Sequence, residues 1–405
     1  MRAGWRIGSI FGIPLYIDSS WFVIFILIAM ANFSDLYAVW GLLLAGIAGI
    51  SMALLFFTSV LFHELGHSLV AMSQGIQVKS ITLFFFGGLA SIEKESKNPT
   101  QALQVALAGP GVSIILYGLF YLVTLLAPDR SLLQVIAEYL ATLNLVLAVF
   151  NMLPGLPLDG GQALKALVWK FTGSRSQGVR WAANSGKIVG WIGIVLGLSL
   201  FLITGSLGGI WPALIGWFIL SNANNCDRLN TLQDILSQLT AVQVMTREFK
   251  VVDARMSLRQ FVDEYLLKDA WSAKGETRLS LPYYAAAEGR YRGAVEVEKI
   301  QNMERSLWET ETLQTALTPL SEIFSLPENA PLSEVINGLE AENLGFMTIL
   351  SPAGSVSGVI DRGDIVRSVA KRLNLELPEA EIQKIKLEGK YPIGLQLQAI
   401  AKTTN

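Results

Sequence analysis

The chain has 405 residues, 52% of them hydrophobic and only 16% charged, with 31 basic and 33 acidic side chains for a formal charge of −2. Soluble domains carry roughly 25% charged residues, so the composition points to a membrane protein, and the near-neutral balance offers no electrostatic footprint for nucleic acid. The single cysteine, Cys226, excludes an intrachain disulfide, and the length suggests about two or three domains.

Arg2 and Arg6 lead into the mixed stretch IGSIFGIPLYIDSS rather than an apolar core, so no cleavable signal peptide is expected. Two segments rich in β-branched and aromatic residues read as strands: 12–18 (GIPLYID) and 78–93 (VKSITLFFFGGLASIE), the second with a turn or kink at Gly87-Gly88. An open sheet edge cannot face lipid, so both belong at the interface or inside the protein. Six spans are predicted at residues 20–33, 39–70, 102–127, 132–153, 187–204 and 208–223, against a requirement of about 20 apolar residues per span. The second is too long for a simple span, and Gly41, Gly46 or Gly49 is expected to hold a bend. Arg2, Arg6, Lys79, Lys94, Lys97, Lys165, Lys170, Arg175, Arg180 and Lys187 all fall on one side of this topology, and the opposite loops carry only Arg130. The positive-inside rule then makes both termini cytoplasmic.

His63-Glu64-Leu65-Gly66-His67 is an H-E-x-x-H motif inside an apolar helical run. Residues four apart share a helix face, about 6 Å along the axis, so two imidazoles can share one tetrahedral zinc with Glu64 beside them as proton acceptor. These are the only two histidines in the chain. The bland reading is a buried hydrogen-bonded pair, but two histidines and a glutamate at membrane depth are costly without a function. Catalytic zinc takes three protein ligands and an open position. With no third histidine, and Cys226 beyond the last span, a carboxylate must complete the set. Asp159, in Asn151-Met-Leu-Pro-Gly-Leu-Pro-Leu-Asp159-Gly-Gly, lies at the same cytoplasmic depth as the first motif, where prolines and glycines break the helix. Its alternative role is to cap a helix beginning at Gly160. Asp18, Asp35, Glu93 and Glu95 are rival carboxylates.

HELGH in one span and NMLPGLPLDGG near another resemble the site-2 proteases, the intramembrane zinc metalloproteases, over residues 1 to 225; GIPLYIDSSW, FFFGGLA and Ala108-Gly109-Pro110 look like further landmarks. The resemblance implies that His63, His67 and Asp159 bind one Zn2+ and that Glu64 is the general base. It implies that Asn151 faces the site and stabilises an oxyanion, with a helix-ending cap as its alternative. It also implies that the Phe84–Ala90 strand, through Phe86, Gly87 and Gly88, pairs with unwound substrate, or else is a purely structural hairpin. Many relatives carry a histidine where this chain has Asp18, which leaves that position without an inherited role.

From Asn224 onward charges become frequent and no run is long enough to span a bilayer. Residues 240–373 resemble a pair of CBS domains, βαββα modules that often bind adenine nucleotides, preceded by a linker (226–239) and followed by a mixed tail (374–405). Gly293 and Gly358 open the equivalent steps GAVEVEKI and GVIDRGDIV. Nucleotide-binding relatives carry a hydroxyl residue three positions on, toward phosphate, and Asp six positions on, toward ribose. Here Asp361 and Asp364 stand there in the second copy, and Glu296 and Lys299 in the first. An acid facing phosphate repels it, so the pair is either a nucleotide sensor or a degenerate module used for homodimerisation or for covering the catalytic half.

The expected architecture is therefore a polytopic α-helical membrane protein, in a bacterial plasma membrane or a chloroplast membrane, followed by a soluble α/β CBS pair. The expected activity is zinc endoproteolysis of a single-pass membrane protein in or near its span. A CBS-regulated metal channel or transporter is the alternative, weakened because a transit site needs no adjacent general base; an inactive scaffold is the third. A C-terminal fusion to green fluorescent protein is expected to fluoresce and a phosphatase fusion at the same point to be inactive; an active phosphatase there would reverse the orientation.

Overall fold

The structure is a computed structural model that describes residues 4–85, 87–93, 95–268, 281–392 and 395–404, and it divides into two compact units at Asn230/Thr231. The first unit begins with strands β1 (Trp5–Ile10) and β2 (Ile13–Ile17), joined by a turn with positive φ at Phe11 and Gly12. Helix α1 (Ser19–Ser73) follows, capped by Asp18, whose carboxylate accepts from Ser20 N at 2.9 Å and Ser20 Oγ at 2.6 Å. Strands β3 (Val78–Phe84) and β4 (Gly87–Ile92) complete a sheet of order β1-β2-β3-β4. The chain continues through α2 (Pro99–Leu126), α3 (Leu132–Asn151), α4 (Asp159–Thr172), α5 (Arg175–Thr204) and α6 (Ile210–Gln238).

A straight helix of 55 residues would be roughly 80 Å long, far beyond the roughly 30 Å hydrocarbon core. Gly41, at φ 71° and ψ 178°, breaks it into two arms, a conformation open to glycine because it lacks Cβ. The arms run antiparallel: Phe25 and Phe57, equidistant from Gly41, have ring centroids 6.4 Å apart, and a Cβ on Gly49 would meet Ala29 O at 2.6 Å. Ser19 and His63 are likewise equidistant from the bend. The sheet attached to Ser19 therefore reaches the depth of His63, with Ile13, Leu15 and Ile81 packed on Leu65.

Among the described residues, four helices are long and apolar enough to cross a membrane: α1, α2, α3 and α5. The six expected spans thus correspond to five helices. The first two are the arms of α1, and the sixth occupies the start of α6, which turns polar after Leu220 and is not among those four. The strand expected at 12–18 is β2, and that at 78–93 is the β3–β4 hairpin. Strand β1 was not expected, because its exposed residues show no clear alternation; pairing with β2 creates it. Small residues let α5 and α6 approach closely: a Cβ on Gly193 would meet Gly216 Cα at 3.0 Å, and one on Gly190 would meet Gly216 O at 2.8 Å.

The second unit repeats one motif twice. The first copy runs β5 (Lys250–Asp253), α8 (Leu258–Phe261), β6 (Tyr283–Ala287), β7 (Arg290–Val295), α9 (Val297–Asn302), after a short α7 (Ala241–Val244). The second, after β8 (Leu317–Pro319), runs β9 (Ser325–Pro327), α10 (Leu332–Ala341), β10 (Phe346–Leu350), β11 (Val356–Asp361), α11 (Arg362–Arg372). The leading strand is parallel to the first hairpin strand in each copy. The equivalence extends to close contacts: a Cβ on Gly358 would strike Thr246 O, and one on Gly293 would strike Thr318 O. The segments expected as linker and tail are structural. Leu232, Leu236 and Leu239 from the former are buried in this unit's core. So are Ile382, Ile385, Leu397 and Ile400 from α12 (Glu379–Glu388) and α13 (Leu397–Thr404).

Between β4 and α2, Glu95 accepts from Arg175 Nε at 2.8 Å and from the buried Lys165 Nζ at 3.5 Å, tying the sheet's exit loop to α4 and α5. Burial pushes the Glu95 carboxyl up, but the Arg175 hydrogen bond and the Lys165 charge outweigh it and hold it down to about 2. A depressed carboxyl contributes stability that is complete above its ordinary 4.5 and is lost as pH falls toward 2. Thermal melts of the detergent-solubilised protein should therefore lose part of their acid sensitivity below pH ~4.5 in Glu95→Gln; an unchanged acid limb would contradict this.

Candidate metal centre

Helix α1 places His63 and His67 one above the other, both buried. Their Nε2 atoms lie 3.3 Å apart, and Asp159 Oδ2 lies 3.0 Å from His63 Nε2 and 3.2 Å from His67 Nε2. Bonds of about 2.0–2.1 Å to a tetrahedral zinc separate ligand atoms by roughly 3.3–3.4 Å, so these spacings match three corners of such a site. The three are the metal-compatible cluster found among the described residues.

The far side of each ring fixes its chemistry. His67 Nδ1 lies 2.7 Å from Val105 O, and a carbonyl only accepts, so Nδ1 carries a proton and, in the neutral ring, it is Nε2 that presents a lone pair to the cluster. His63 Nδ1 meets the buried Ser113 Oγ at 2.9 Å, which allows the same tautomer. Two imidazole lone pairs and a carboxylate then converge on one point, a donor set that fits a divalent cation.

Both outer partners come from α2, which approaches closely through glycine. A Cβ on Gly109 would collide with Nε2 of both His67 and His63, and one on Gly66 would meet Ala108 O at 2.9 Å. Asp159 is delivered by the broken segment after α3. Leu156 N donates to Ala182 O at 3.1 Å, the Leu156–Pro157 bond is cis, and Asp159 opens α4. A Cβ on Gly160 would strike Met152, and one on Gly161 would strike Gly155. The alternative capping role for Asp159 is not what the side chain does: Leu158 is the capping residue, and the Asp159 carboxylate turns to the histidines. The rival carboxylates are engaged elsewhere or distant: Asp18 caps α1, Glu93 pairs with Lys79 at 3.3 Å, and Glu95 holds Lys165 and Arg175.

Glu64 points to β4. A Cβ on Gly88 would meet Glu64 Oε1 at 3.0 Å and collide with its Cγ. The Glu64 carboxylate is thereby set against the outer strand of the sheet, since β4 pairs only with β3 among the described residues. Gly87 and Gly88 lie in that strand, whereas Phe86 lies outside the described residues. Asn151 ends α3, half-buried, and makes no hydrogen bond to His63, His67 or Asp159. Sequence reasoning missed Ser113, the Val105 carbonyl and the role of Gly109. Ala108-Gly109-Pro110 was visible as a landmark, but its meaning depends on which helix it packs against. In the second unit Asp361 and Asp364 cap α11 reciprocally and both bind Lys386, at 3.0 Å and 2.9 Å.

A glutamate beside two helix-borne histidines and an aspartate, within a helical membrane unit, points to a membrane-embedded metallopeptidase. The pattern of Peptidase family M50 matches residues 51–134 and 127–194. The chain is 37% identical over 365 residues to the zinc metalloprotease homologue sll0528 of Synechocystis, covering 89% of this chain and 94% of that protein. The chain belongs to peptidase family M50, the site-2 protease family, and is a zinc metalloprotease of that type. It is also similar to the solved site-2 protease from Methanocaldococcus jannaschii: 28% identity, TM-score 0.41, 55% of this chain and 94% of that one. The second unit is similar to CBSX2, solved in complex with AMP: 15% identity, TM-score 0.26, 33% of this chain and 98% of that one.

Gly109→Ala should lose stoichiometric zinc by atomic absorption while keeping wild-type helical content. Ser113→Ala, which only releases the His63 ring, should lower metal affinity by roughly 10–100-fold; retention of wild-type affinity in both would refute the assigned roles.

Proposed function

We propose that this metalloprotease cleaves single-pass membrane proteins in or near their transmembrane segment, with one zinc per chain held by His63, His67 and Asp159 and with Glu64 as general acid–base. The observation that carries the reading is the position of Glu64, between the histidine pair and the outer strand β4 at the depth of His63. A zinc ion in this donor set supplies Lewis acidity to a scissile carbonyl and acidifies a water to a pKa of about 7.

The chain's own residues supply the rest. An extended substrate segment adds to the free edge of β4 through main-chain hydrogen bonds, which requires a transmembrane helix to unwind locally. Gly88 keeps that strand close to Glu64 without a side chain between them. Glu64 takes the proton of the attacking water and returns it to the leaving amine. The Val105 carbonyl and Ser113 keep both rings in the metal-binding tautomer throughout. The half-buried Asn151 amide, at the end of α3, lies on the segment that delivers Asp159 and serves as the oxyanion donor. Both termini lie in the cytoplasm, and the second unit is a CBS-like pair that regulates the protease and mediates self-association.

Glu64→Gln should lower cleavage of a reconstituted single-span substrate by roughly 10²–10⁴-fold while retaining zinc, and Asp159→Asn should lose the metal itself. Equal cleavage by wild type and Glu64→Gln would overturn the reading, as would a zinc-loaded wild type that cuts no single-span candidate.

A further inference from the structure

The second copy of the repeated motif is expected, by its resemblance, to offer Asp361 toward a nucleotide's phosphate and Asp364 toward its ribose. The side chains there do not fit that ligand. Lys386, on α12, has a side chain only 3% exposed, and its Nζ lies 2.9 Å from Asp364 Oδ1, 3.0 Å from Asp361 Oδ2 and 3.0 Å from Glu248 Oε2. An ammonium has three donors, and here each has its own carboxylate. The remaining oxygens are also engaged: Asp361 Oδ1 accepts from Asp364 N at 2.9 Å and Asp364 Oδ2 accepts from Asp361 N at 3.2 Å. Arg367 adds a contact to Asp364 at 3.4 Å and pairs with Glu379 on α12 at 2.5 Å. No carboxylate oxygen of Asp364 is left to accept from a ribose hydroxyl.

The lysine's entry is shaped as well as charged. Gly363 lies against its stem, where a Cβ would meet Lys386 Cε at 3.1 Å and collide with Cγ. The equivalent position of the first copy is closed in the same manner. Glu296 is paired with Lys299 at 3.1 Å, and the Thr318 hydroxyl donates to Glu296. The difference is the source of the cation. Lys299 lies one turn along from its own acid, whereas Lys386 is carried in by the C-terminal segment.

We infer that the C-terminal helix α12 is an internal ligand of the second module, with the Lys386 ammonium filling the carboxylate pocket in place of an adenine nucleotide. The ion-pair geometry stands by itself; only the comparison with a nucleotide rests on reading the unit as a CBS-like pair. Removing the ammonium leaves the buried Asp364 carboxylate facing the half-buried Asp361 without a cation, so α12 detaches, and a small cation of the same shape restores it.

The test uses the full-length protein in detergent, following amide hydrogen exchange across 379–388 and calorimetric titration with AMP and ATP. Wild type is expected to give no heat that depends on Asp364. Lys386→Gln is expected to exchange across α12 roughly tenfold faster or more, and n-butylammonium is expected to slow the exchange of Lys386→Ala back toward wild type. AMP or ATP binding to wild type that Asp364→Asn abolishes would overturn the internal ligand while sustaining the CBS-like reading. Exchange across α12 unchanged in Lys386→Gln and Lys386→Ala would overturn it independently of any nucleotide. Where Asp364→Asn fails to fold, a wild-type titration with AMP and ATP that gives no heat upholds the internal ligand, and nucleotide protection of 356–372 from exchange in the wild type overturns it.

Discussion

Three acceptor atoms, His63 Nε2, His67 Nε2 and Asp159 Oδ2, face one another within 3.3 Å inside an apolar helical unit. With both rings neutral and Nδ1-protonated, these three lone pairs repel one another until a cation, whether a metal ion or a proton, lies among them, and burial strengthens that requirement because little solvent is available to screen the charges. A divalent ion bound there would therefore relieve a local electrostatic conflict as well as serve the proposed chemistry. The surrounding hydrogen bonds act on the far edges of the rings: the Val105 carbonyl holds a proton on Nδ1 of His67, and the Ser113 hydroxyl is compatible with the same tautomer of His63.

Holding the three atoms there requires backbones to approach more closely than side chains normally allow. Gly66 and Gly109 bring α1 and α2 together, Gly155 and Gly186 press the segment before α4 against α5, and Gly160 and Gly161 fold α4 back onto the turn that precedes it. In a bilayer, where apolar surface gains nothing by leaving lipid, close packing of small residues is the main source of helix–helix affinity. The same economy of side chains that assembles the helices thus builds the site. Gly88 repeats the device on the sheet, bringing a strand edge up to Glu64.

The second unit solves the buried-charge problem differently. Its buried Asp364, with the half-buried Asp361 beside it, is neutralised from within by Lys386. A fully desolvated ion pair needs near-complete hydrogen bonding to avoid a net penalty, and the reciprocal capping box with one lysine donor per carboxylate provides it. The C-terminal segment is consequently integral to this unit rather than appended to it, as the burial of Ile382 and Ile385 beside Lys386 also requires.

Much of the catalytic half was legible in the residues alone. The spacing of His63, Glu64 and His67 dictates a shared helix face, and the lack of any other histidine forces a carboxylate, because these are local rules of helix periodicity and ligand chemistry. The bend was expected from its glycines, but three were candidates; antiparallel packing of the two arms selects Gly41. The convergence of Asp159 on the histidines, the contacts of Val105 and Ser113 with their rings, the contact of Gly88 with Glu64 and the capture of Asp361 and Asp364 by Lys386 join residues 22 to 96 positions apart in the chain. Nothing local encodes such distances. Sequence by itself determined which chemistry this chain can perform, and the tertiary structure decided which of its many acids, glycines and lysines take part, because only packing brings remote side chains within a bond length of the same point.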